Sequence, residues 1–131
     1  MLFINPKPLG KGVIESKKEL FKDNFFKKNY GHCAVGDLAL YLGNEVLESS
    51  HYLPFENIDR IYKRIEVDAG LDPMAAFVGL GTYYLVVEYD GGESKTYKFK
   101  REAAVDKLMD DCRERGGVKL GAPYEKASKF N

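Results

Sequence analysis

Between residues 83 and 112 the spacing of apolar and polar positions changes once, from every second residue to every third or fourth. Tyr83, Leu85, Val87 and Tyr89 alternate with Tyr84, Val86 and Glu88; after Asp90-Gly91-Gly92, Lys95, Tyr97 and Phe99 alternate with Thr96, Lys98 and Lys100. Period-two placement predicts two strands, and Asp-Gly-Gly supplies the positive φ angles of a tight hairpin. Beyond it, Ala104, Leu108 and Cys112 lie four apart with Val105 and Met109 beside them, which predicts an amphipathic helix over about 102–115. Glu102 near its start, Arg113 and Arg115 near its end and Gly116 just past it suit the helix dipole and a C-cap.

Upstream the pattern is more broken. Residues 1–14 carry Pro and Gly and predict an irregular or edge-strand lead-in. Ser16-Lys17-Lys18-Glu19 is a capping-box pattern, followed by Leu20, Phe21, Phe25 and Phe26 among lysines, so a short helix is expected over about 17–27, ended by Asn29-Tyr30-Gly31. Residues 35–42 predict a strand with Leu38, Leu40 and Leu42 on one face and Ala39 and Tyr41 on the other. Gly43-Asn44 makes a turn into a partner strand containing Val46, Leu47, Tyr52 and Leu53. Residues 53–61 read two ways: Ile58, Ile61, Tyr62 and Ile65 have helical spacing, whereas Ile61, Ile65 and Val67 fit one face of a strand. β-branched enrichment favours strand from Ile61 onward. Asp72-Pro73 resembles an N-cap and first helical position, giving one or two turns over 74–78 that stop at Gly79 and Gly81.

In this order the parts resemble the bacterial PH-like or GRAM-like domains. Leu53-Pro54-Phe55-Glu56-Asn57-Ile58-Asp59-Arg60-Ile61 stands where that family has an apolar-Pro-aromatic-x-x-Ile-x-x-Ile segment, 83–100 where it has its last hairpin, and 103–115 where a helix plugs the barrel. The resemblance covers about 35–116. It implies an α+β fold, a small antiparallel β-barrel of two packed sheets capped by a C-terminal α-helix. That fold has seven strands and five are read here, so residues 1–30 are expected to supply the rest or to cover an open end. The resemblance also implies a scaffold that binds lipid head groups, peptides or other proteins.

Composition agrees with one domain. A chain of 131 residues, 44% hydrophobic and 13% aromatic, can bury about two-thirds of its unfolded surface. We divide it into a basic lead-in (1–30), a core (35–116) and a tail (117–131). Cys33 and Cys112 lack CxxC spacing and read as small buried hydrophobes of a cytoplasmic chain. Met1-Leu2-Phe3-Ile4 is cut by Asn5-Pro6, too short a run for a signal peptide.

Formal charge is zero, which argues against a nucleic-acid partner. It is nonetheless uneven: residues 1–30 hold seven Lys against Glu15, Glu19 and Asp23, a net of +4. Phosphate recognition wants Lys and Arg converging on a loop between early strands, and the turn at Gly43-Asn44 is instead flanked by Asp37, Glu45 and Glu48. The segment 16–28 offers another membrane route, with Leu20, Phe21, Phe25 and Phe26 toward acyl chains and Lys17, Lys18, Lys22, Lys27 and Lys28 toward anionic lipid. A short element at the edge of a small domain is ordinarily docked, so the expectation is that its aromatics pack inward and its lysines are solvated.

Met74, Phe77, Val78 and Leu80 form a contact surface for a protein or peptide partner or a second copy if exposed, and a lid if folded inward. His32, Cys33, His51 and Cys112 lack short ligand spacing, so neither metal nor cofactor is expected. Asp110-Asp111 is expected to be solvated, and Arg60, Lys63 and Arg64 to be salt-bridged on a sheet face. The reading is therefore a non-catalytic module that binds a protein or peptide or self-associates. Its alternative is peripheral binding to an anionic membrane through Lys17, Lys18, Lys22, Phe25 and Phe26; a buried cluster of His51 with carboxylates would instead favour an enzyme.

Overall fold

Two sheets face each other across an apolar core, and a C-terminal helix packs against both. The computed structural model describes residues 5–43, 50–66 and 82–121. The first sheet contains β1 (Lys7–Pro8), β2 (Lys28–Tyr30), β3 (Cys33–Val35), β4 (Ala39–Leu42) and β5 (His51–Pro54), in the order β1-β5-β4-β3-β2. Its pairs are antiparallel except that of β1, which lies parallel to β5. The second sheet is the antiparallel meander of β6 (Ile58–Glu66), β7 (Thr82–Tyr89) and β8 (Glu93–Phe99). Helix α1 (Lys17–Phe26) precedes β2, and α2 (Glu102–Gly116) follows β8. The α+β class and the C-terminal helix are thus as the pattern predicts, and the two packed sheets are as the resemblance implies.

The hairpin forms for the expected reason. Asp90 and Gly91 both hold positive φ, 51° and 74°, and the Gly92 N–H donates to the Tyr89 carbonyl. Alternation then sends Tyr83, Leu85, Val87 and Phe99 into the core. Helix α2 buries Val105, Leu108 and Cys112 against the same core. Its end lies one residue later than expected: Gly116 is helical and Gly117, at φ 64°, is the left-handed cap, donating to the Arg113 carbonyl. Val118 is buried in the core and the backbone of 119–121 bonds to Ile61, so the packed chain continues past 116.

The early region differs more. The strand expected over 35–42 is only β4 with the last residue of β3, because residues 36–38 form a turn; Leu38 is exposed instead of sharing the inner face with Leu40 and Leu42. The ambiguous 53–61 segment resolves as the end of β5, one 3₁₀ turn at Phe55–Asn57, and β6 from Ile58. Ile61 enters the core, whereas Ile65 is exposed. Helix α1 ends at Phe26 because residues 28–30 are drawn into β2, and β2 and β3 are strands that the apolar pattern leaves unread.

Candidate functional site

Helix α1 lies on the outer face of the first sheet, and its attachment there decides what it shows to solvent. Ser16 caps it, its hydroxyl accepting from the Glu19 N–H at 3.2 Å. A second, smaller apolar cluster holds it: Leu20 against Ala34, Ala39, Tyr41 and Tyr52. Beside Leu20 the helix buries a carboxylate, Asp23, only 8% exposed. Asp23 accepts from the Asp37 N–H at 2.7 Å, the Leu38 N–H at 3.2 Å and the Tyr41 hydroxyl at 2.6 Å. The 36–38 turn is thereby tied to α1. Gly36 permits this approach, since a Cβ there would overlap the Asp23 carboxylate. Burial and the bond to Asp23 both push the Tyr41 hydroxyl far above its usual range.

With Leu20 and Asp23 facing the sheet, the other side chains of α1 face out. Phe25 is 63% and Phe26 70% exposed, their rings edge-on at 5.0 Å, and Phe21 is exposed with its ring 6.4 Å from that of Phe25. Lys17, Lys18 and Lys22 are exposed among them, and Glu19 is the only exposed carboxylate of the helix. The expected inward packing of Phe21, Phe25 and Phe26 is therefore not what forms. The sheet beneath offers small Ala34 and Ala39, and Asp23 fixes which side of the helix meets it. Lys27 is half-buried with its Nζ 5.8 Å from the Tyr41 ring, and that burial lowers its pKa.

Where α1 passes into β2 the surface becomes a groove of about 730 Å³. One wall is 28–32, across the β2–β3 turn; the other is the end of β8 and the first turns of α2. The His32 ring stands edge-on to Phe99 at 6.4 Å. Lys28, Lys100, Arg101 and Lys107 line it, with no carboxylate among its described lining residues. Sequence reading missed this convergence because it joins one lysine to cations more than seventy positions away.

The remaining candidates are occupied structurally. Arg60 pairs with Glu88, Lys63 bridges Glu102 and Asp106 at 2.7 and 2.8 Å, and Arg64 pairs with Glu66 at 3.2 Å. The expected salt-bridged face is present, with most of its acids drawn from β7 and α2. Asp111 is not solvated: it accepts from the Tyr30 hydroxyl at 2.7 Å and from Arg115 Nε at 2.7 Å. Burial and that bond push the Tyr30 hydroxyl up to about 12. Cys33 and Cys112 are buried free thiols, both pushed up to about 12 by burial. Among the described residues no group of three or more His, Cys, Asp or Glu could hold a metal, and no helix is long and apolar enough to cross a membrane. Met74, Phe77, Val78 and Leu80 lie outside the described residues. No protein-family model matches the chain, and no curated protein is significantly similar to it.

Proposed function

We propose that this protein is a non-catalytic docking module that seats on an anionic membrane surface through the outer face of α1. The observation that carries this reading is the exposure of Phe25 and Phe26 beside Lys17, Lys18 and Lys22 on a helix whose other acid is buried. Lysines and phenylalanines share the outer face, so the seat is shallow: rings at the headgroup boundary, ammonium groups on the phosphates. Partial burial of two rings contributes about 3 kcal/mol. Three lysines near an anionic surface add about 1 kcal/mol each. About 6 kcal/mol corresponds to half-binding at tens of micromolar accessible lipid.

The reading fits a PH-like barrel. In its favour, β2–β5 and β6–β8 make an up-and-down series of seven strands followed by α2, which is the order that family has. Co-sedimentation with phosphatidylserine vesicles tests the function: pelleting at low salt, release at high salt and loss in the Phe25→Ser/Phe26→Ser variant are expected. No pelleting with anionic vesicles at low salt refutes it. Docking of a protein, a peptide or a second copy through Met74, Phe77, Val78 and Leu80 is the other proposal, carried by that apolar run alone. Light scattering on the wild type and Phe77→Asp tests self-association, which a monomer in both defeats.

A further inference from the structure

We infer that the groove between the β2–β3 turn and the start of α2 is a binding site for a multiply charged phosphate group. This does not rest on the contact of α1 with a membrane. Four cations, Lys28, Lys100, Arg101 and Lys107, converge on one concavity of about 730 Å³. None of the four is in an ion pair among the described residues, although the chain has as many carboxylates as cations. The acids of α2 next in sequence to the lining residues, Glu102 and Asp106, both hold Lys63, and Asp111, which accepts from the Tyr30 hydroxyl, is paired with Arg115. Gathered like charges repel, and an anion that neutralises several at once relieves that repulsion.

The ligand class follows from the number and spread of the donors. A lone carboxylate meets one or two cations, whereas a phosphomonoester or polyphosphate presents several charged oxygens to ammonium and guanidinium groups together. The ring of His32, edge-on to Phe99, forms a wall that adds no negative charge. The phosphate can come from a lipid headgroup or from a soluble polyphosphate, and the chemistry at the groove is the same.

The test is a titration of the ¹⁵N-labelled full chain with sodium tripolyphosphate at low salt. Saturable shifts are expected at the amides of Gly31, His32, Ala103 and Ala104. Lys100→Gln/Lys107→Gln, both exposed positions, weakens binding by roughly tenfold, and Lys17→Gln/Lys22→Gln leaves it unchanged. Competition by vesicles of phosphatidic acid but not by phosphatidylserine vesicles assigns the site to a headgroup; competition by neither assigns it to a soluble ligand. Absence of saturable shifts, or equal affinity in the Lys100→Gln/Lys107→Gln variant with an unchanged melting curve, overturns the inference. Because the two pairs of lysines are separate, loss of vesicle binding in the α1 variant with tripolyphosphate binding intact rejects neither site for the other.

Discussion

Replacing Asp23 by Ala is the sharpest probe of how α1 is attached. The substitution removes one carboxylate and strands three donors, the Asp37 and Leu38 N–H groups and the Tyr41 hydroxyl. Tyr41 is fully buried, so its hydroxyl has no water to turn to. A buried donor left unsatisfied costs about 1–3 kcal/mol; the two amides are only part-buried, so the expected total is roughly 3–4 kcal/mol. That is a large share of the 5–15 kcal/mol typical of a domain. Urea unfolding followed by circular dichroism measures it, since the chain has no Trp. Two cycles sharpen the reading. Tyr41→Phe removes one stranded donor and should recover about 1 kcal/mol in the Asp23→Ala background. Gly36→Ala, whose new methyl displaces the same carboxylate, should cost about 2 kcal/mol in the wild type and much less once Asp23 is gone. A loss below 1 kcal/mol for Asp23→Ala, or simple additivity with Gly36→Ala, refutes the claim that this carboxylate holds the helix.

Three further outcomes follow from the same geometry. Lys63→Met removes two charged contacts against the three hydrogen bonds lost in Asp23→Ala, but its partners Glu102 and Asp106 are about half exposed, so urea unfolding should show a loss of no more than about 1 kcal/mol. Cys33 and Cys112 should be silent to a thiol reagent at pH 8 in the native chain and react on unfolding; rapid native labelling contradicts their burial. Stability should fall at alkaline pH: both thiols are raised from 9.0 to about 12, so the folded state keeps protons that the unfolded state releases. The contribution is whole below pH 9 and is lost between pH 9 and 12, at about 1.4 kcal/mol per pH unit for each thiol. The raised hydroxyl of Tyr30 acts in the same direction above pH 10. Urea midpoints independent of pH from 8 to 11 exclude this linkage.

What the sequence makes legible is what local periodicity encodes. The last hairpin and α2 carry their turn residues, alternation and apolar stripe within thirty consecutive positions, and each forms within a residue of expectation. Ser16 is legible for the same reason, since a cap needs only its own first turn. β2 and β3 are not, because strands of three residues are too short to show a period. Asp23 illustrates a different limit. On a helix among lysines it reads as surface charge, and its role depends on three donors fourteen to eighteen residues away. Tyr30 with Asp111, and Lys28 with Lys100, Arg101 and Lys107, are invisible on the same ground: β2 supplies one side of each contact, and α2 or the β8–α2 connection, seventy or more residues later, supplies the other.

The buried carboxylate also accounts for the exposed rings. A ten-residue helix with Leu20, Phe21, Phe25 and Phe26 would gain about 1.5–3 kcal/mol for each Phe it fully buried, so apolar contact alone favours rolling it to bring Phe25 toward the sheet. Rolling would lift Asp23 from its three donors, at a cost of similar or greater size. Directional bonds therefore win over a non-directional gain, and the phenylalanines stay in solvent beside the lysines. On the proposed function, the three aromatic rings that this polar latch holds outward are the membrane contact. The same proposal matches the lysines on that face, and the groove cations that have no ion pair among the described residues, to a negatively charged surface or ligand.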